Sequence, residues 1–232
     1  MSHSAPSDYY NRINTDLLQR IPRTVSTVVE IGCGAGALGA SFKRDNPAVW
    51  YAGVELEESA AAVARERLDQ VVTGSAEELR LDQLGLDGRP LECLVYGDVL
   101  EHLYDPWATL ARHTEWLAPG GEVVACVPNI QHWSILLDLL RGRWAYQQEG
   151  LLDITHLRFF TLEGALDLFA RAGLRVEEVV GRKVGFDDPR VQGSFATFRQ
   201  LLTPLLENLE IPARNFEEQA GSLQYLIRGR RA

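Results

Sequence analysis

The sequence predicts an α/β fold in which a doubly wound, mostly parallel sheet carries helices on both faces. Two observations predict it. Short apolar runs alternate with helical patterns along the chain, and most of these runs are β-branched and continuous, as in strands buried on both faces. Strands that alternate with helices at this spacing form βαβ units. The 232 residues, 46% of them apolar, suit a single domain over residues 1–232.

The first half of the chain supplies most of the predicted strands, which are expected at residues 27–32, 49–56, 71–75, 91–98 and 121–129. A helix should follow the first strand and stop before Pro47, because the residue before a proline avoids the helical conformation. A second helix is expected at 59–70, with Ser59 as its N-cap. The stretch "PWATLARHTEWLAPGG" predicts a third helix, closed by its Pro-Gly-Gly turn.

The second half begins with a break in this rhythm. The aromatic-rich stretch from His132 to Phe160 is expected to form a helical insert or lid, at about residues 130–160. A helix at 161–172, a C-cap at Gly173 and a strand at 174–180 should follow. A further helix is expected to be kinked or broken at Pro204, and the last strand is expected at 222–231.

Composition and charge narrow the class of protein. A formal net charge of −9 argues against nucleic acid as a partner. The N-terminus lacks the apolar core of a secretory signal, and no apolar run approaches the roughly 18 residues that span a bilayer. Cys33, Cys93 and Cys126 show neither zinc spacing nor a disulfide framework, so a cytoplasmic protein is expected. The oligomeric state stays open.

The glycine-rich stretch "VVEIGCGAGALG" after the first strand predicts a ligand site. Ligands of such sheets bind beyond the carboxyl ends of the strands, so the loops bearing Gly32–Gly36, Glu55, Ser75 and Asp98 should face one crevice. A dinucleotide and S-adenosylmethionine (SAM) both use a bare loop before a helix, and Glu55, 23 residues after Gly32, could bind the ribose of either. Glu30 disfavours a pyrophosphate and suits the ammonium group of a methionine moiety.

Several motifs occur in an order that resembles class I SAM-dependent methyltransferases. They are "VVEIGCGAG", "GVEL", "GSAEEL", "GDVLEHLYDPW", "LAPGGEVVACVPN" and "THLRFFTLEGALDLFARAGL", and they cover most of residues 9–185. The chain is most similar to a subgroup found in bacterial glycan and secondary-metabolite pathways, and also to quinone-biosynthesis O-methyltransferases. The resemblance implies a Rossmann-like, seven-stranded sheet with SAM as cofactor.

The resemblance also implies a role for each position of the motifs. Glu30 and Gly32 would hold the methionine end, while Gly34 and Gly36 would let the backbone pass close to the cofactor. The remaining cofactor contacts would be Glu55 on the ribose, Leu56 on the adenine, Ser75 and Ala76 along the adenine edge, Asp98 and Leu100 beside the sulfonium, and Tyr10 or Arg12 closing over the cofactor. Many relatives have Asp where Ser75 stands.

Methyl transfer requires alignment, exclusion of water and often the removal of one proton from the acceptor. His156 and His102 are the candidate bases, because a histidine titrates near neutrality. With Glu101 and Asp98 they resemble acid and histidine sets that hold a divalent ion in some relatives, which would assist the deprotonation instead. The expected acceptor is a hydroxyl group on a small polar molecule, such as a sugar or a sugar-containing metabolite.

Two other classes of function remain alternatives from the sequence. An NAD-dependent oxidoreductase would fit the glycine loop, although Glu30 opposes it and no Ser/Tyr/Lys catalytic set is evident. A SAM-binding protein without catalysis, acting with a partner, would fit the same loop.

Overall fold

A computed structural model of the chain describes residue 11, residues 13–185 and residues 188–232. Its centre is one seven-stranded sheet with helices on both faces, which confirms the predicted fold class. The strands are β1 (Thr27–Ile31), β2 (Trp50–Glu55), β3 (Gln70–Thr73), β4 (Leu91–Gly97), β5 (Leu117–Pro128), β6 (Leu174–Arg182) and β7 (Gln224–Arg231). The helices are α1 (Thr15–Leu18), α2 (Ala37–Asp45), α3 (Glu58–Ala64), α4 (Pro106–Thr114), α5 (Trp133–Leu140), α6 (Leu162–Arg171), α7 (Pro189–Asn208) and α8 (Ala213–Gly221).

The strand order is β3-β2-β1-β4-β5-β7-β6, with β1 pairing in parallel with both β2 and β4. Strand β7 is antiparallel to both of its neighbours, β5 and β6. The order reverses direction at β1, where β2 lies on one side and β4 on the other. This is the switch point of an open α/β sheet, and its carboxyl end is the expected ligand crevice.

The core is divided between the two faces of the sheet. Because successive side chains of a strand point to opposite faces, Val29 and Ile31 of β1 pack in one buried cluster, whereas Val28 packs in the other. The second cluster holds α2 against the sheet through Leu38 and Phe42. The site residues therefore follow strands whose positions are fixed by packing on both sides.

Three element predictions were wrong in detail. Helix α3 is shorter than expected, and its N-cap is Glu57, not Ser59. The Pro-Gly-Gly stretch does not close α4 but lies inside β5, where the register with β4 shifts between the pairs Leu91–Leu117 and Cys93–Glu122. Of the two alternatives for α7, the break at Pro204 is wrong, because the helix continues through this residue, while the kink stays a prediction.

The C-terminal half departs furthest from expectation. Only Trp133–Leu140 of the predicted helical insert is helical, and residues 141–160, here called the insert segment, are irregular. Helix α8 was not predicted at all. Within the described residues, no helix combines the length and apolar character needed to cross a membrane. All three cysteines are buried and free.

Candidate active site

The loop after β1 needs glycine at each of three alternating positions. Gly32, Gly34 and Gly36 have φ values of +72°, +53° and +75°, which side chains rarely tolerate. A Cβ at Gly32 would lie 2.4 Å from Cγ2 of Val99, in the loop after β4. The glycine loop therefore turns sharply and lies directly against the β4 loop, which forms one wall of the crevice.

The acid before the glycines is buried under α2. Glu30 is 4% exposed, and its Oε2 accepts a hydrogen bond from the hydroxyl of Tyr51 at 3.0 Å. Burial, above all, raises the pKa of Glu30 to about 8, so the group is mainly protonated at pH 7. The Gly39 amide, in the first turn of α2, also hydrogen-bonds this carboxyl group. These contacts support the loop and α2, and contact with the methionine end of SAM stays a prediction.

Glu55 joins the end of β2 to the glycine loop. Its Oε2 accepts from the Gly34 amide at 2.8 Å, and its Oε1 accepts from the Glu57 amide at 2.9 Å. A carboxylate has about four lone-pair positions, so both oxygens retain the capacity to accept ribose hydroxyls. The adjacent Leu56 is 67% exposed, which leaves its side chain free to pack on a flat ligand.

The loop after β3, with Ser75 and Ala76, is held in place by α4. The Ala76 carbonyl accepts from Nε2 of His113 at 3.1 Å and from Nη2 of Arg112 at 3.3 Å. His113 is fully buried, and its Nδ1 lies 2.7 Å from the hydroxyl of Tyr96 on β4. Sequence reasoning missed His113 and Arg112, because a mid-helix position gives no signal that a side chain reaches a distant loop.

Asp98 stands at the carboxyl end of β4 with a φ of +55°. Its Oδ1 accepts from the amide of Gln224 at the start of β7, and Gln224 in turn accepts from Arg182 of β6. Burial raises the pKa of Asp98, while the Arg182 guanidinium opposes the shift. Leu100, which was expected beside the sulfonium, is fully buried in the core, and its contact with the cofactor stays a prediction.

Glu101, His102 and His156 form a cluster next to this loop, here called the acid–histidine cluster. Potential ligand atoms of the three side chains all lie within 4.8 Å of one another. Glu101 is 1% exposed, and neither of its carboxyl oxygens has a hydrogen-bond partner in the described part of the chain. Its Oε1 lies 3.9 Å from Nε2 of His156. Asp98, the fourth member of the set suggested by the sequence, bonds to Gln224 and lies outside this cluster.

The backbone fixes the orientation of both histidines. Nδ1 of His102 lies 3.2 Å from the Thr155 carbonyl, and Nδ1 of His156 lies 3.2 Å from the Leu151 carbonyl. Because a carbonyl can only accept, each Nδ1 carries the proton and each Nε2 keeps a lone pair. Burial lowers the pKa of both histidines and raises that of Glu101. The cluster thus offers two neutral imidazole nitrogens and one unpaired carboxyl group.

The N-terminal candidates, Tyr10 and Arg12, lie outside the described residues. The neighbouring Asn11 is described, and its side chain accepts from Arg67 at 2.9 Å. The same guanidinium nitrogen of Arg67 also reaches the Ala35 carbonyl in the glycine loop at 2.9 Å.

Together, the sheet order and the glycine loop at its switch point define a Rossmann-like α/β fold. Residues 29–123 match a family model described as a methyltransferase domain. The chain is 27% identical over 162 residues to a ubiquinone biosynthesis O-methyltransferase of Cereibacter sphaeroides, covering 68% of this chain and 64% of the relative. It is 28% identical over 160 residues to the enzyme of that name from Aromatoleum aromaticum, covering 66% of each chain. The chain therefore spans just under two thirds of the length of these curated relatives.

Solved structures agree on the fold. A SAM-dependent methyltransferase from Mesorhizobium loti aligns with a TM-score of 0.60 at 17% identity, over 98% of this chain and 99% of that one. A SAM-dependent methyltransferase from Archaeoglobus fulgidus aligns with a TM-score of 0.60 at 16% identity, over 98% of this chain and 95% of that one. Residues 29–123 are thus similar to methyltransferase domains, and the whole chain shares its fold with solved SAM-dependent methyltransferases.

Proposed function

We propose that this chain transfers the methyl group of SAM to a hydroxyl group of a small polar acceptor, such as a sugar or another hydroxylated metabolite. Support for oxygen as the methylated atom comes from the acid–histidine cluster at the edge of the crevice and from the names of the curated relatives. The glycine loop and Glu55 would hold the cofactor, and Leu56 would pack on its adenine. The leaving sulfide needs no proton, so the acid–base chemistry concerns the acceptor alone.

The observation that carries the proposal is the unpaired carboxyl group of Glu101. A buried acid without a hydrogen bond is costly unless a ligand or a cation compensates it. Divalent metals in proteins bind imidazole nitrogens and carboxylate oxygens, and here two Nε2 lone pairs and one carboxyl group supply both kinds of ligand. Backbone carbonyls that accept from Nδ1 orient the two rings, as hydrogen-bond partners of metal-binding histidines do. The residues therefore fit a divalent cation, which Glu101, His102 and His156 would hold. Such an ion would lower the pKa of the acceptor hydroxyl group.

The chain's own residues define the rest of the mechanism. The Thr155 and Leu151 carbonyls keep His102 and His156 in one tautomer, so neither ring turns away from the acceptor hydroxyl. Alignment of the acceptor oxygen with the methyl group and the sulfur supplies the larger part of the rate, because that geometry removes the entropic barrier of a bimolecular step.

Titration calorimetry with S-adenosylhomocysteine and, separately, with NAD tests the cofactor. We expect binding of S-adenosylhomocysteine and none of NAD, and Glu55→Ala should weaken the former at least tenfold by removing the ribose acceptor. The opposite preference would favour the oxidoreductase alternative. Turnover of labelled SAM with hydroxylated acceptors then separates an enzyme from a non-catalytic binder.

Metal removal tests the role of the acid–histidine cluster. After chelation with EDTA we expect methyl transfer to fall at least tenfold and to return with Mg²⁺, Mn²⁺ or Zn²⁺, while S-adenosylhomocysteine binding stays unchanged. Glu101→Gln should abolish the rescue, because an amide is a weaker metal ligand than a carboxylate. Full activity of the chelated enzyme would contradict the metal and favour direct proton removal by a histidine.

A further inference from the structure

A row of aromatic rings leads from the acid–histidine cluster to the solvent. The ring centroids of Tyr146 and Trp144 are 6.4 Å apart, those of Trp144 and Phe159 are 5.3 Å apart, and those of Phe159 and His156 are 6.3 Å apart. The His156 ring is in turn 4.8 Å from that of His102. We call Tyr146, Trp144 and Phe159 the aromatic wall.

The outer end of the aromatic wall is open to solvent. Residues 141–150 are all exposed, with Trp144 at 40% and Tyr146 at 52%. Burying a large aromatic side chain stabilises a folded protein. Rings that stay exposed beside the acid–histidine cluster therefore offer an apolar surface that a ligand can cover.

The insert segment that carries these rings is fixed relative to the cluster by its backbone. The amides of Leu157 and Arg158 both donate to the Glu101 carbonyl, at 2.8 and 2.9 Å. Further along, the Gln147 amide donates to the Leu152 carbonyl at 2.8 Å, which folds the segment back on itself. The backbone bonds and the ring contacts therefore place the rings next to the cluster, so a molecule held on the rings would lie near Glu101.

We propose that the aromatic wall is the acceptor-binding surface of this methyltransferase, and that it takes a hydroxylated ring by stacking on the ring's apolar face. An aromatic ring and a pyranose both offer such a face with hydroxyl groups at the edge, and only the edge needs to reach the acid–histidine cluster. Trp144, at the centre of the wall, is the main specificity-determining residue. The proposal rests on the proposed function, since it assigns the acceptor of the same site.

Saturation-transfer NMR titrations of the full chain with two probes, catechol and methyl β-D-glucopyranoside, test the aromatic wall in the presence of S-adenosylhomocysteine and Mg²⁺. We expect at least one probe to bind, and Trp144→Ala to weaken that binding roughly tenfold, the size of a stacking contact. Trp144→Phe keeps a ring and should lose less. Leu201→Ala is the matched control, because Leu201 is an apolar residue of α7 that is 75% exposed and is not part of the wall.

The probe that binds shows whether the acceptor ring is aromatic or a sugar. The affinities of the Trp144 variants for that probe show whether the aromatic wall binds it. Equal affinity of the wild type and Trp144→Ala for every bound probe would overturn it, and so would the absence of binding of both probes to the wild type. S-adenosylhomocysteine affinity, measured on the same samples, separates the two proposals. If the wild type fails to bind S-adenosylhomocysteine, the proposed function is wrong, whereas normal cofactor binding with no effect of Trp144→Ala overturns the aromatic wall alone.

Discussion

Gly32 and Gly173 have nearly the same backbone conformation but different surroundings. Their φ values are +72° and +73°, and both are strained for any residue with a Cβ. A Cβ at Gly173 would meet nothing within 4 Å, whereas one at Gly32 would lie 2.4 Å from Val99. Comparing substitutions at the two positions therefore separates the effect of backbone strain from the effect of the close contact between the glycine loop and the β4 loop.

We expect Gly173→Ala to lower the free energy of unfolding by about 1–2 kcal/mol, from strain alone. Gly32→Ala should lower it further and should also weaken S-adenosylhomocysteine binding at least tenfold, because Val99 and the β4 loop must move. Urea unfolding and titration calorimetry measure the two effects. If both variants bound the cofactor product equally well, the contact between the loops would have no part in forming the crevice.

At the scale of elements, α4 acts as a support for the loop after β3. His113 connects Tyr96 of β4 to the Ala76 carbonyl, and Arg112 reaches the Glu77 carbonyl at 2.6 Å. Burial lowers the pKa of His113 to about 3, so the ring stays neutral, with one nitrogen as donor and the other as acceptor. A helix in the core thereby fixes the loop that is expected to meet the adenine.

Replacing His113 by Phe should move this loop. We expect His113→Phe to weaken S-adenosylhomocysteine binding several-fold and to lower the free energy of unfolding by roughly 1–3 kcal/mol, since the buried hydroxyl of Tyr96 loses its partner. Tyr96→Phe is the control: it removes the same hydroxyl and leaves the bond from His113 to Ala76 intact, so cofactor binding should be preserved. Comparable loss of binding in both variants would show that packing, not the bond to Ala76, matters.

The elements that could be predicted from sequence were those governed by local pattern. Strands β1, β2 and β4 were predicted to within a residue or two because continuous apolar runs specify burial on both faces. The glycine loop was predicted because a strand precedes it, a helix follows it and Glu55 stands at the end of the next strand. The insert segment was predicted wrongly because tertiary contacts shape it, such as the bonds from Leu157 and Arg158 to Glu101. The separation of Asp98 from the acid–histidine cluster has the same cause, since its partner Gln224 is 126 residues away.

At the scale of the whole molecule, the sheet buries acidic groups around the point where its order reverses. Glu30, near the end of β1, and Glu101, in the loop after β4, are almost fully buried in a chain with a net charge of −9. Burial raises the pKa of both groups. Because these acids keep their protons in the folded chain to a higher pH than in the unfolded chain, the free energy of unfolding should depend on pH through them.

Glu30 gives the clearest prediction, because its pKa of about 8 in the folded state lies far above the ordinary value of 4.5. Between these two pH values the folded chain holds a proton that the unfolded chain has released. The stabilising contribution is therefore fully present below pH 4.5 and is lost as the pH rises through 8, with a slope of at most about 1.4 kcal/mol per pH unit.

In Glu30→Gln this slope should be absent, so the free energy of unfolding of the variant should rise relative to the wild type between pH 5 and 8. Denaturant titrations across that range measure the difference, with Glu66→Gln at an exposed position as the control. A constant difference between wild type and Glu30→Gln would mean that Glu30 is ionised throughout, and the acid of the glycine motif would then carry a charge toward the cofactor.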